Sequence, residues 1–111
     1  LAFKTEWLSR KGLHARNLAL ISAAGDSMIP TISDGDLLLV DLREGLEQAK
    51  SGKIYVIRQD NQLYAKRIQR KLDGTLTIMS DNKAYDSETV PPEQLDQGHI
   101  RGHVAWIGRD I

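Results

Sequence analysis

At 111 residues the chain has room for one domain around one core, and 41% hydrophobic residues argue for a folded protein over a disordered one. Lysine plus arginine (15) balances aspartate plus glutamate (15), which excludes unaided gripping of a phosphate backbone, since that rests on excess positive charge. The absence of cysteine excludes disulfides and thiolate chemistry and is compatible with a reducing cytoplasm.

In chain order, Thr5 to Lys11 reads as a short helix, with Thr5 as N-cap, Trp7 and Leu8 as apolar anchors and Gly12 as the stop. From Leu18 onward short apolar runs punctuated by turn residues predict strands. Leu18 to Ala23 is the first. Leu37 to Val40, bracketed by Gly35-Asp36 and Asp41, reads as a strand buried on both faces, and this longest apolar run is far too short to span a bilayer. Ile54 to Arg58 and Leu63 to Arg70 flank Asp60-Asn61 as a hairpin, and Asp73-Gly74 turns the chain into a third strand, Leu76 to Ser80. Asp81 to Gln97, polar and carrying Pro91-Pro92, reads as a long loop with a helical turn at Glu93 to Leu95. Ile100 to Ile107 closes the chain as a strand, with Ile100, Gly102, Val104 and Trp106 on one face. The expectation is a mainly β fold with one short N-terminal helix. No basic-then-apolar signal peptide opens the chain, and its start at Leu1 reads as that of an excised domain or processed product.

Two separated segments carry chemistry. In Gly25-Asp26-Ser27-Met28-Ile29-Pro30-Thr31 a serine sits on a glycine-led turn whose exit is set by proline. Consecutive backbone N–H groups in such a turn can converge as an oxyanion hole requires. Asp26-Ser27 taken alone are equally ordinary turn formers. The second segment is Leu63-Tyr64-Ala65-Lys66-Arg67-Ile68, where strand alternation puts Lys66 on one face with Tyr64 and Ile68. A desolvated neutral lysine can take the proton of a serine hydroxyl, which is otherwise a poor nucleophile. Lowering a lysine from about 10.4 to neutrality needs roughly 4.6 kcal/mol of differential destabilisation, within reach of full burial. The alternative is a lysine whose stem lies on the strand and whose head stays in water. His14, His99 and His103 do not form a metal pattern: His99 and His103 are four apart, but Gly98 and Gly102 oppose a helix there. The basic group Lys66, Arg67, Arg70 and Lys71 reads as a solvated hairpin end.

These strings resemble the C-terminal domain of LexA-like proteins, the Ser–Lys S24 peptidases that include LexA, UmuD and the lambda-type phage repressors. Gly25 to Ile32 followed by Gly35 to Val40 is similar to the family's nucleophile block, and Tyr64 to Ile68 to its general-base block. Ser80-Asp81-Asn82-Lys83-Ala84-Tyr85 and Ile100-Arg101-Gly102-His103-Val104 also match, and Phe3 to Leu8 resembles prophage repressors that carry an upstream helix-turn-helix domain. The resemblance implies a LexA/signal-peptidase-like fold of short, strongly bent antiparallel sheets over residues 1–111 as a single domain. It implies a cytoplasmic, self-cleaving repressor domain with Ser27 as nucleophile and Lys66 as base. Backbone N–H groups of Asp26 and Ser27 would hold the oxyanion, with Gly25, Met28, Pro30 and Tyr64 as supporting residues. It also implies a homodimer, with Val104 and Trp106 as interface candidates, and a RecA-type filament as activator. DNA contact would come only through an upstream domain, with no cofactor, metal or membrane involved. The family's cut bond lies farther ahead of the nucleophile than the 26 residues preceding Ser27, so it is expected outside this chain. Ala24-Gly25 has the right composition but is too close to Ser27 to fold back into its own site. Where LexA carries a threonine two positions before its lysine, this chain has Tyr64, whose hydroxyl is an alternative donor. The competing reading is a non-catalytic dimerisation module on the same fold, and a signal-peptidase relative is disfavoured for want of an apolar membrane-facing tract.

Overall fold

The computed structural model describes residues 2–96 and 99–109. Its elements are one helix, α1 (Thr5–Arg10), and seven strands: β1 (Leu18–Ser22), β2 (Leu37–Asp41), β3 (Ile54–Gln59), β4 (Gln62–Arg70), β5 (Leu76–Met79), β6 (Glu88–Val90) and β7 (Ile100–Gly108). All strand pairings are antiparallel, in the order β1-β2-β7-β3-β4-β5-β6. The mainly β expectation holds. Among the described residues no helix is long and apolar enough to cross a membrane.

The turns follow from their residues. Asp60 and Asn61 both adopt positive φ (52° and 63°), the two-residue turn whose twist matches that of β3 and β4. Helix α1 ends where Gly12 donates to the Ser9 carbonyl and Leu13 to that of Leu8. Its N-terminus departs from expectation: Thr5 is already helical, Lys4 stands at the cap, and no side chain caps the free N–H groups. With only six residues, α1 is held by packing, since Leu8 is buried and Phe3 and Trp7 stack at 5.2 Å.

The sheet curls strongly. Although β1 and β4 are four places apart in the strand order, Ile21 and Ala65 pack against the same buried cluster of Met28, Ile32, Leu38, Val40, Ile54, Val56 and Val104. A second cluster, Tyr55, Ile57, Ile68, Leu76 and Ile100 with Ala49, fills the opposite face of β3–β5. A third joins Leu8 and Leu13 to Leu39, with Phe3 edge-on to Trp106 at 5.1 Å.

Strand β7 corrects one expectation. Its register slips twice, against β3 between Val56 and Ile57 and against β2 between Leu39 and Val40, leaving Arg101 and Ala105 as extra residues. Each slip reverses the alternation. Ile100 therefore enters the second cluster, Val104 the first and Trp106 the third, so these side chains do not share one face. A second correction concerns β6, which lies in the segment expected to be loop. Glu88–Val90 is polar and short, and its pairing is dictated by the edge of β5, where Leu76 faces Val90 and Ile78 faces Glu88. The helical turn expected in this segment falls at Pro92–Gln94, one residue earlier than predicted.

Candidate active site

Ser27 sits between β1 and β2 on a turn pinned at several points. Gly25 adopts φ +86°, and its N–H donates to the Asp34 carboxylate at 2.8 Å. Ala23 N–H donates to the Asp36 carbonyl and Gly35 N–H to that of Ala23, both at 2.8 Å, which closes the base of the loop. The Asp36 side chain, 2% exposed, accepts from Ser33 N–H and, with both oxygens, from Arg109 at 2.8 and 2.7 Å. That guanidinium holds the Asp36 carboxyl down at about 2. Met28 and Ile32 anchor the turn in the first cluster, and the Ile29-Pro30 bond is cis. Among the described residues neither Asp26 N–H nor Ser27 N–H has a protein acceptor, which leaves both available as donors.

The turn closes one end of an apolar groove of about 220 Å³ between β1 and β4, bordered by Ile21, Ser22, Leu63, Ala65 and Ser27 over a floor of Leu38 and Val56. Strand β1 is the sheet's edge, so its outer backbone groups face no other strand. An extended apolar peptide is the shape this groove accepts.

Lys66 lies on the face predicted for it, with Tyr64 and Ile68, opposite Tyr55 of β3. Its ammonium lies 5.9 Å above the Tyr64 ring and 5.7 Å from that of Tyr85. Burial pushes Lys66 below the ordinary lysine range, and the Glu88 carboxylate pulls it partly back. The structure does not bring Lys66 onto Ser27. Lys66 Nζ donates instead to Ser80 Oγ at 2.7 Å, inside a small cavity of about 130 Å³ also bordered by Ile57, Asp86 and Glu88. Ser27 and Lys66 thus border different cavities, and Tyr64 lines both. The Tyr64 hydroxyl, a candidate partner for Lys66 by sequence, donates to Gln62 at 2.7 Å.

What joins the two halves is the segment after β5. Asn82 N–H donates to the Ser27 carbonyl at 3.0 Å, and its side-chain amide to the Asp26 carbonyl at 2.9 Å. Asp81 N–H contacts Met28 Sδ at 3.3 Å. The Asp81 carboxylate takes Thr31 Oγ1 at 2.5 Å and Arg67 Nε and Nη2 at 2.8 and 2.6 Å, and these donors hold its carboxyl below the usual range. Tyr85 donates its hydroxyl to Asp26. Sequence reasoning found Ser80 to Tyr85 only as a matching string and gave Ser80, Asp81 and Asn82 no role. The β4–β5 register is the signal that locates Ser80: Arg67 faces Met79, so Lys66 falls opposite Ser80.

The other candidates are placed as follows. Val104 is buried in the chain's own core and Trp106 packs on Phe3. His103 Nδ1 faces Glu44 at 3.2 Å and His99 Nδ1 faces Asp96 at 3.3 Å, so the two imidazoles have separate partners. Arg67 of the basic group is the partner of Asp81 rather than a solvated charge.

Residues 1–109 match the family described as Peptidase S24-like. The chain belongs to that family. It is 32% identical over 98% of its length to an HTH-type transcriptional regulator of Haemophilus influenzae, covering 45% of that protein. It is also 32% identical to the repressor protein CI of Enterobacteria phage phi80 (96% of this chain, 44% of the relative). A LexA repressor of Dechloromonas aromatica is 35% identical over 79% of this chain and 46% of its own length. The S24 chain therefore spans less than half the length of these relatives. Its curled antiparallel sheet with one short helix is the LexA-like fold of the family.

Proposed function

We propose that this S24 domain is the self-cleaving and dimerising part of a prophage-type transcriptional repressor. The observation that carries the reading is the convergence of the Ser27 turn, which borders the apolar groove, and Lys66 on one segment, Ser80-Asp81-Asn82. A bond in an upstream loop of the same polypeptide would enter the groove as an extended strand. The Ser27 turn closes onto neutral Lys66, which keeps its bond to Ser80 Oγ and takes the Ser27 hydroxyl proton as Ser27 Oγ bonds to the carbonyl carbon. Asp26 and Ser27 N–H groups hold the oxyanion. Lys66 then gives its proton to the leaving amine as the C–N bond breaks; water, deprotonated by Lys66, attacks the acyl carbon, and the Oγ–C bond breaks as Lys66 returns that proton to Ser27 Oγ. Cutting would part an upstream DNA-binding domain from this one, with a RecA-type filament as activator in the cytoplasm.

The dimer reading rests on the backbone edge of β7. This strand pairs with β2 along residues 103–108 but with β3 only along 100–103, so the stretch beyond Val104 keeps one edge for antiparallel pairing with a second copy. Val104 and Trp106 would contribute through their main chain, because their side chains are already packed within the protomer.

A second reading, a non-catalytic dimerisation module, is favoured by the Lys66–Ser80 contact, which leaves the dyad unengaged. Intact mass of the parent protein at neutral and alkaline pH, beside Ser27→Ala and Lys66→Ala, separates the two. A single cut, faster at high pH because burial has lowered Lys66 and base neutralises it, and lost in both variants, is expected. An uncut, folded protein in the presence of activated RecA filament would leave the module reading standing.

A further inference from the structure

We propose that Ser80 is a positioning residue for Lys66, holding its amine beside the Ser27 turn so that the nitrogen lone pair is free for the Ser27 proton. The inference rests on the dyad reading above. Nothing in the nucleophile or base strings points to Ser80. Its role follows from register: Arg67 faces Met79, the last residue of β5, so the next residues along, Lys66 and Ser80, come together. The 2.7 Å contact is short for a nitrogen donor, and Ser80 is followed directly by the two residues that anchor Ser27 and Met28.

A lysine side chain has four rotatable carbons, and a neutral amine placed only by burial would sample many orientations. Among the described residues Ser80 is the one hydrogen-bond partner of Lys66: β4 and the loop after β5 present the faces of Tyr64 and Tyr85, and β3 presents Ile57 and Gln59, neither of which bonds the amine. The charged groups facing this space are the carboxylates of Glu88 on β6 and Asp86 in the preceding loop. Both favour the ammonium, the wrong state for a base. Ser80 differs in kind. Its oxygen accepts one N–H in either charge state, so it can restrain the amine without requiring it to be charged. Ser80 neither gains nor loses a proton in the step.

A charge-assisted hydrogen bond is stronger than a neutral one, so Ser80 also favours the ammonium slightly. Ser80→Ala therefore has a two-part signature. The maximal rate falls for loss of aim, and the Lys66 midpoint moves to lower pH.

The test uses this chain and a serine-directed fluorophosphonate, which reports Ser27 reactivity without knowledge of the scissile bond. Labelling rates of Ser27, located by mass spectrometry, are measured against pH for wild type, Ser80→Ala, Ser80→Thr and Lys66→Ala. The Lys66 midpoint is read separately by NMR of its side chain. Ser80→Ala is expected to lower the plateau about tenfold and shift the midpoint down by roughly half to one pH unit, with Ser80→Thr restoring both. If Ser80→Ala does not fold, Ser80→Cys, close in volume with a weak acceptor, carries the same expectation. A lowered plateau with an unmoved midpoint would mean a merely structural serine and overturns the proposal, as does an unchanged plateau. A wild-type Ser27 that stays unlabelled, or labels equally in Lys66→Ala, instead overturns the dyad reading. The NMR midpoint would still report whether Ser80 holds Lys66.

Discussion

Asp81→Ala removes the carboxylate that ties three segments together: Thr31 after the nucleophile turn, Arg67 on β4 and the chain leaving β5. The Asp81 side chain is 14% exposed and that of Arg67 31%, so the pair is neither a solvated surface bridge nor fully dry. A bidentate guanidinium–carboxylate contact in this setting contributes about 1.5–3 kcal/mol, and the Thr31 hydroxyl bond about another 1 kcal/mol. Water reaching the exposed side of Arg67 offsets part of this, leaving an expected loss of about 2–4 kcal/mol. At roughly 4 °C per kcal/mol for a domain of this size, the thermal midpoint should fall by about 8–16 °C. Urea titration should show a lower midpoint at unchanged slope. A double-mutant cycle with Thr31→Val should give a coupling of about 1 kcal/mol, as for groups sharing one acceptor. The pH dependence provides a second check. The Asp81 carboxyl lies below its ordinary 3.8 in the folded protein, so its contribution is complete above that value and is lost as pH falls through the folded value. The gap between wild type and variant should therefore narrow in acid. A loss under about 1 kcal/mol at neutral pH, or a gap that persists undiminished in acid, would refute the electrostatic reasoning.

Two further outcomes follow from the same geometry. A Cβ added at Gly102 would stand 2.6 Å from Val40 Cγ1 and 2.8 Å from the Asp41 carbonyl oxygen, so Gly102→Ala should destabilise by about 2–3 kcal/mol in urea titration through displacement of backbone. Arg109→Gln should raise the Asp36 carboxyl from about 2 toward 3.8, visible by carboxyl-carbon NMR. Because a depressed carboxyl stabilises above its unfolded value and loses that contribution as pH falls through its folded one, the variant should begin to lose stability at higher pH than wild type.

How far these features could be read in advance varied with their range along the chain. Strands β1 to β5 and β7 were legible because each is a short apolar run closed by turn residues. Asp60-Asn61 named its own hairpin, since few residue pairs accept two positive φ angles. Ser27 and Lys66 were legible as residue types in local strings, and Lys66 faces where alternation placed it. The Thr5 cap failed because a six-residue helix takes its bounds from the packing of Leu8 and Trp7 rather than from capping chemistry. Strand β6 was hidden because pairing with β5, not its own polar residues, makes Glu88–Val90 extended.

The amino-acid sequence by itself thus determined what depends on near neighbours: where strands begin and end, which turn bears the serine, and which strand face bears the lysine. The tertiary structure alone decided what depends on register between distant segments. Two one-residue slips in β7 sent Ile100, Val104 and Trp106 into three different clusters, and the β4–β5 register set Ser80, not Ser27, against Lys66. Strand alternation has a period of two, so one extra residue reverses every side chain beyond it, and the position of that residue is set by the partner strand.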